Sequence, residues 1–340
     1  MRIAKYYGWG DVRLEQADVP EIGPGEILVQ VQACGLCGSD LMSWYADGKA
    51  PAVLGHEPVG FVSRVGSGVT DFNLGDRIFV HHHVPCLVCH YCRRGNYSCC
   101  ATFKENGIFP GGFSEYLRVA PANVQRDVLH VPEGLPFEEA TLIEPIGCAI
   151  RGVNRAGVQP GDAVLILGAG VSGLLFTQLS RLWGARSVVV SDLVEYRLGR
   201  ALEHGADATV NPAEDDLKAE VESLAGKAGA DVVIVTVGRA EVMEEGLRLV
   251  AKGGTVLLYA PLPPSEKLPV DVCDLLFSEK TLVTTYSCGP DDTRTALDLV
   301  RSGRVQTGGL VTHRFGLEEV GEAMHMASQA GDSLKVVIIP

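Results

Sequence analysis

The apolar positions of this chain fall into two regimes. Over roughly the first 140 residues they come in short runs, such as Ile27-Leu-Val-Gln-Val and Glu57-Pro-Val-Gly-Phe-Val, set between Gly and Pro. Runs of that length bounded by turn residues predict short strands and a mainly β, barrel-like domain. From Gly147 onward, apolar runs alternate with stretches of helical period. Ala163 to Leu167, Ser187 to Ser191, Ala208 to Val210, Val232 to Thr236 and Thr255 to Tyr259 read as strands, and Val171 to Leu182 as a helix. Alternation of this kind predicts βαβ units and a doubly wound parallel sheet. After Tyr286 a helical segment, Thr293 to Ser302, leads to Gly309-Leu-Val-Thr and a closing strand, Lys335 to Ile339. This tail is expected to return to the first domain. The reading is therefore an α/β chain in which residues 1–146 and 287–340 form one domain and 147–286 an inserted second. The length of 340 residues agrees, because single cores seldom grow past about 250 to 300 residues.

Composition narrows the partners. Lys and Arg total 29 against 42 Asp and Glu, a net charge of −13, which repels nucleic acid and acidic lipid surfaces. Small ligands fit better. The first residues carry no apolar stretch of signal-peptide length, and the apolar segment from 163 to 185 is broken by Gly168, Gly170, Gly173, Gln178 and Arg181, so neither export nor a membrane span is expected. Of ten cysteines, five crowd between Cys86 and Cys100. Without an export signal this points to metal binding in a reducing, cytoplasmic setting.

Gly168-Ala-Gly170-Val171-Ser172-Gly173 follows an apolar strand and opens an apolar helix. The glycines permit a tight turn and close approach of backbone to a pyrophosphate, and the helix N-terminus supplies N–H donors. Asp192 ends the next strand, nineteen residues after the last glycine. A carboxylate there accepts hydrogen bonds from adenosine ribose hydroxyls and repels a 2′-phosphate. The expected cofactor is NAD rather than NADP, although Arg197 lies close in sequence and weakens the distinction. Val237 and Gly238, after the fourth strand, are expected beside the cofactor.

Cys86, Cys89, Cys92 and Cys100 give C-x2-C-x2-C-x7-C, four thiolates that one short lobe can wrap around a structural zinc. Cys99 adjoins Cys100, and spacing selects Cys100. An iron–sulfur cluster also uses four cysteines, but its common bacterial run has a shorter last gap and a Cys-Pro that are lacking here. A second constellation is scattered: Cys34-Gly-Leu-Cys37-Gly-Ser39-Asp40, Gly55-His56-Glu57-Pro58 and Glu144-Pro145. Mixed S, N and O donors on separate loops suit a catalytic zinc with an exchangeable position. Taken without the dinucleotide turn, His56 reads rather as a core histidine, and Glu57 and Glu144 as members of buried ion pairs; the order of the motifs changes that weighing.

The order and spacing of these motifs resemble the medium-chain zinc-dependent alcohol dehydrogenase family, over nearly the whole chain. Glu144-Pro145 in place of a third zinc cysteine, with Gly55-His56-Glu57, is similar to the polyol (sorbitol) and L-threonine dehydrogenase branch. The resemblance implies a GroES-like catalytic domain with an inserted Rossmann domain and two zinc ions per chain. It also implies that Cys37, His56 and a carboxylate, Glu57 or Glu144, hold the catalytic zinc, and that Ser39 relays the alcohol proton. Relatives carry a histidine five residues after the first zinc cysteine, where this chain has Met42, whose thioether moves no proton at neutral pH. His83, three residues before Cys86, matches a threonine dehydrogenase histidine and is a candidate for orienting substrate or exchanging protons. The function implied is NAD-linked oxidation of a small polar secondary alcohol to a ketone. A reductase running from ketone to alcohol with NADH or NADPH, and a non-catalytic NAD-binding relative, are the alternatives. By the same resemblance the chain is expected to be a homo-oligomer, a dimer or tetramer.

Overall fold

The computed structural model describes residues 1–105 and 107–340, which divide into two compact units. One comprises Met1–Gly147, Cys288–Gly303 and Thr307–Pro340; the other comprises Cys148–Ser287 with Arg304–Gln306. The boundaries fall one residue later than the sequence pattern places them, and the short excursion at 304–306 has no signal in it.

In the second unit six strands form one parallel sheet, in the order Ala208–Val210, Ser187–Ser191, Ala163–Leu167, Ala230–Val235, Val250–Leu258, Thr281–Thr284. Counted from the first strand of the unit this is 3-2-1-4-5-6, the order of doubly wound dinucleotide-binding sheets. Ala163–Leu167 and Ser187–Ser191 are buried at every position, as expected for strands covered on both faces. The sixth strand, Thr281–Thr284, is absent from the sequence reading. Its outer threonines are exposed and its two inner residues only half-buried, so it lacks the apolar run that marks the others.

The first unit is built on Ile27–Leu36, a ten-residue strand buried at all but two positions. Glu57–Val65 and Lys335–Ile339 pair with it antiparallel, so residues from the two ends of the chain share one sheet. The strands Arg77–Val80 and Val128–His130 extend the sheet beyond Glu57–Val65. The core between its elements includes Tyr6, Val29, Phe113, Leu117 and Ile338.

Register fixes the chemistry at the centre of this sheet. Gly35 stands opposite Glu57 on one side and Val337 on the other. A Cβ on Gly35 would lie 1.8 Å from Glu57 Oε2 and 2.6 Å from Lys335 Cε, so only glycine leaves room for what occupies this place. The occupants are a buried ion pair: the Lys335 ammonium meets Glu57 Oε2 and donates to the Leu36 carbonyl at 3.1 Å. Both side chains are almost fully buried. Burial works against the lysine's charge, yet Glu57, Cys37 and Glu144 raise its pKa above the ordinary value. Burial also raises the Glu57 pKa, against the pull of Lys335.

A buried pair adds little net stability compared with apolar residues, but removing one partner strands the other. Lys335→Met is therefore expected to cost about 3 to 5 kcal/mol of unfolding free energy, read as a lower urea midpoint with an unchanged slope. The double variant Lys335→Met, Glu57→Gln should recover most of that loss. Equal stability of the single variant and the parent would show that the pair does not constrain the sheet.

Candidate metal centres and dinucleotide turn

Cys37 leaves the central strand and caps the short turn Gly38–Leu41, where its N–H donates to Asp40 Oδ2 at 3.0 Å. His56 and Glu57 enter the neighbouring strand after Gly55, whose φ of +82° favours glycine. These placements bring together the Cys37 thiol, an imidazole nitrogen of His56 and a Glu57 carboxylate oxygen, all within 4.8 Å of one another. A zinc ion with bonds of about 2.0 to 2.3 Å sits between donors that close. Glu57 supplies a sharper test of fit, because Oε2 faces Lys335 while Oε1 is buried with no hydrogen-bond partner among the described residues. An acceptor in that state suits a cation.

Asp40 completes the arrangement. It is buried, and its Oδ1 lies 3.5 Å from His56 Nδ1. Burial lowers the His56 pKa, but Asp40 and Cys37 outweigh it and raise the pKa well above the usual value. A carboxylate on Nδ1 orients the ring and leaves Nε2 as the ligating nitrogen. The sequence reading quoted Asp40 within a motif without a role, and it missed Lys335 altogether. The available signal for Lys335 was a lysine opening an otherwise apolar strand, Lys-Val-Val-Ile-Ile.

Ser39 lies half-buried in the same turn as Asp40, two residues beyond Cys37. Glu144, second residue of the helix Ile143–Ala156, is buried, and its carboxylate groups with His81 and His82 within 4.8 Å. It is outside the Cys37, His56, Glu57 set. The His82 ring packs 4.8 Å from His56, and His83 stacks 4.8 Å from Phe103. Burial, aided by His81, His56 and Lys104, pushes the His83 pKa down to about 2. A ring held neutral so firmly does not titrate near neutrality. Its buried Nδ1 has no partner among the described residues, which leaves it able to orient a polar group.

The four-cysteine lobe is compact. The thiols of Cys86, Cys89, Cys92 and Cys100 lie within 4.8 Å of one another, while Cys99 is exposed. Sγ–Sγ separations are 3.4 Å for Cys89 and Cys92 and 3.9 Å for Cys86 and Cys92. A tetrahedral ion with S bonds of about 2.3 Å sets sulfurs about 3.8 Å apart, so the lobe fits zinc. Burial raises the Cys100 pKa, but the Thr102 hydroxyl and the N–H groups of Cys86 and Thr102 bring it down to about 6, which favours the ligating thiolate.

In the second unit Gly168 has φ of +103°, and its Cβ would lie 2.4 Å from Thr236 Oγ1 and 2.6 Å from Val237 Cγ2. A Cβ on Gly173 would lie 1.9 Å from the Gly168 carbonyl oxygen, so the helix Val171–Leu182 packs close to the turn. Gly170 caps that helix, which leaves its first N–H groups without helical partners. Asp192 follows the strand Ser187–Ser191, and its two carboxylate oxygens accept from Ala169 N at 2.7 Å and Val194 N at 3.0 Å. Arg197 reaches the same turn: its Nη1 would be 3.8 Å from a Cβ on Gly170. Gly238 packs against the Pro261 carbonyl.

Residues 23–133 match the family model described as alcohol dehydrogenase GroES-like domain, and residues 172–302 the model described as zinc-binding dehydrogenase. Sorbitol dehydrogenase of Bacillus subtilis (strain 168) is 32% identical, covering 100% of this chain and 97% of its own. L-threonine 3-dehydrogenase of Pyrococcus abyssi is 35% identical, also covering 100% of this chain and 97% of its own. A zinc-binding dehydrogenase of Sinorhizobium meliloti 1021, solved bound to NADP, superposes with a TM-score of 0.88 at 33% identity, covering 100% of this chain and 99% of that one. With full-length similarity at this level, the chain belongs to the medium-chain zinc-dependent alcohol dehydrogenase family, among the sorbitol and L-threonine dehydrogenases, and is an oxidoreductase.

Proposed function

We propose that this chain is an NAD-linked dehydrogenase that oxidises a small polar secondary alcohol to its ketone by hydride transfer. The observation that carries the reading is the convergence of Cys37, His56 and Glu57, with one Glu57 oxygen buried and unpartnered. Cys37, His56 and Glu57 would hold the catalytic zinc, and Cys86, Cys89, Cys92 and Cys100 a structural one. The first set would place a Lewis acid beside an alcohol hydroxyl, whose pKa it would lower when bound. Asp40 would hold the His56 ring, and Lys335 would anchor the Glu57 carboxylate beside the donor set. Ser39, whose hydroxyl both donates and accepts, would pass the alcohol proton onward, and His83 would orient a polar group of the substrate. Polyols, cyclitols or aminocyclitols, diols and threonine-like amino alcohols are the substrate class.

For the cofactor, Gly168, Gly170, Val171, Ser172 and Gly173 would cradle the pyrophosphate at the helix N-terminus. Val237 and Gly238 would flank it. Asp192 would accept from the ribose hydroxyls and disfavour a 2′-phosphate. The NADP bound to the Sinorhizobium relative, together with Arg197 beside the turn, makes NADP the control cofactor. The working state would be a homo-oligomer. Thr281–Thr284 is an unpaired edge of the six-stranded sheet, and Val272, Leu276 and Phe277 of the helix Val272–Phe277 are 71%, 67% and 79% exposed. A second copy of this chain would cover such an apolar patch and edge.

Four measurements test the reading. NADH formation, followed by absorbance over polyols, cyclitols, amino alcohols and threonine, should identify a substrate. Cys37→Ser should then lower kcat on the order of a thousandfold, a few kcal/mol of lost Lewis-acid stabilisation, with NAD binding retained. Normal turnover by a Cys37→Ser protein shown to lack that zinc would sink the mechanism. Asp192→Ala is expected to shift the ratio of kcat/KM for NAD over NADP by about 10- to 100-fold toward NADP, the size of one lost charged hydrogen bond. Phe277→Asp should reduce the mass seen by light scattering to that of one chain, and an unchanged mass would place the interface elsewhere.

A further inference from the structure

Two lysines of the first unit take no part in the reaction above. Lys49 ends the short turn Asp47–Lys49 and is exposed, and its ammonium lies 4.0 Å over the Tyr45 ring. Such a contact holds a cation in place without neutralising it. Lys49 makes no ion pair among the described residues, because Asp47, its neighbour in the turn, instead accepts the Tyr6 hydroxyl at 2.5 Å. Lys104 ends the turn Ala101–Lys104, directly after the buried Phe103, and is exposed as well. In a chain of net charge −13, two cations that act on one ring run against the average.

That ring is His83, and a row of rings leads to it from the donor set. His56 packs 4.8 Å from His82, His82 3.8 Å from His83, and His83 4.8 Å from Phe103. Burial holds the His82 and His83 pKa values below the ordinary one, Lys49 adds to the lowering of both, and Lys104 joins it at His83. Burial raises the Asp40 pKa, but His56 outweighs it and Lys49 adds to the lowering there too. Lysines that only solvate the surface would not act on buried groups in this way. The Nδ1 atoms of His82 and His83 are buried with no partner among the described residues, and a neutral imidazole with its hydrogen on Nδ1 donates. A cation is repelled by two ammonium groups, and an apolar group leaves the ring nitrogens unpaired. An anion with several acceptor oxygens satisfies all four. An ammonium, a compact point charge, takes carboxylate and phosphate alike.

Within the dehydrogenase reading above, on which this rests, we propose that the substrate is an anionic alcohol, with a carboxylate or phosphate at the end remote from the reacting hydroxyl, and that Lys49 and Lys104 receive that group beside His83. The substrate class narrows from neutral polyols and diols to aldonic acids and alditol phosphates. The span agrees: His83 is two ring steps from His56, of 4.8 and 3.8 Å, a reach that about four to six carbons with bonds near 1.5 Å cover. Threonine, whose carboxylate lies close to its hydroxyl carbon, is too short for it.

The test is NADH formation by the zinc-loaded full chain, with sorbitol, gluconate and sorbitol 6-phosphate as probes. At least one charged probe should give a kcat/KM about tenfold or more above that of sorbitol, the size of one charge-assisted hydrogen bond. Lys49→Met and Lys104→Met should each lower that preference about tenfold, through KM rather than kcat, and Lys49→Arg should keep most of it. Added salt should weaken the charged probe alone, since exposed charges are screened. Preference for gluconate identifies the anion as carboxylate and preference for sorbitol 6-phosphate as phosphate, and either supports the assignment. Sorbitol turned over as well as both charged probes, or Met variants that change KM equally for charged and neutral probes, would overturn it and leave the dehydrogenase reading intact. No NADH from any charged or neutral alcohol would count against both.

Discussion

The candidate catalytic centre depends on one buried ion pair held in register. Lys335 and Glu57 come from strands at opposite ends of the chain and meet over Gly35, the position where any side chain would collide with both. The pair is costly to desolvate and has no route to water, so it persists only while the three strands keep their alignment. A one-residue slip of either outer strand would turn its charge to the opposite face of the sheet. Strand register, which packing alone would enforce loosely among Val and Ile side chains, thus has an electrostatic lock. The same lock holds the carboxylate in place beside Cys37 and His56, with the ammonium on Oε2.

Charge balance shows why the proposed catalytic centre would favour a cation. Around Lys335 lie Cys37, Glu57 and Glu144, and Asp40 sits behind His56. One ammonium and one imidazole do not balance that many buried acceptors when the thiol ionises. Ligand donors that would repel each other in an apolar interior are stabilised once a divalent ion stands between them. The four-cysteine lobe obeys the same rule by different means, with hydroxyl and backbone donors bringing Cys100 toward the thiolate.

What the sequence made legible was local. The strands Ala163–Leu167 and Ser187–Ser191, the helix Val171–Leu182 and the closing strand Lys335–Ile339 lie where their apolar periods put them, because each buries a run of consecutive residues. Cysteine spacing was informative for a related reason, since four ligands within fifteen residues need no distant partner. Residues joined only by tertiary pairing were opaque. Lys335 meets Glu57 across 278 positions, and the contacts of Asp127 with Thr293 and of His81 with Cys288 span 166 and 207. The run His81-His82-His83 shows the limit well: the three rings meet different partners, Asp127, His56 and Phe103, although His82 and His83 lie 3.8 Å apart, and no spacing rule separates them. The helix expected from Thr293 starts at Pro290, because Pro is suited to a first helical turn and the Gly289 N–H is taken by Asp292.

Asp192 illustrates how the same backbone can impose order without a metal. Its oxygens already accept from Ala169 and Val194, which could look like a residue whose bonding capacity is used up. Each carboxylate oxygen has two acceptor positions, so two backbone donors leave capacity for two ribose hydroxyls. The prior bonds fix the carboxylate's rotamer before any ligand arrives, and a group held in its binding orientation loses little conformational entropy on association. They also hold negative charge in place against a 2′-phosphate, since a carboxylate pinned by Ala169 at the glycine turn cannot swing away without breaking bonds to the turn itself. In the proposed reading, discrimination at this position would follow from the rigidity of the turn as much as from the charge.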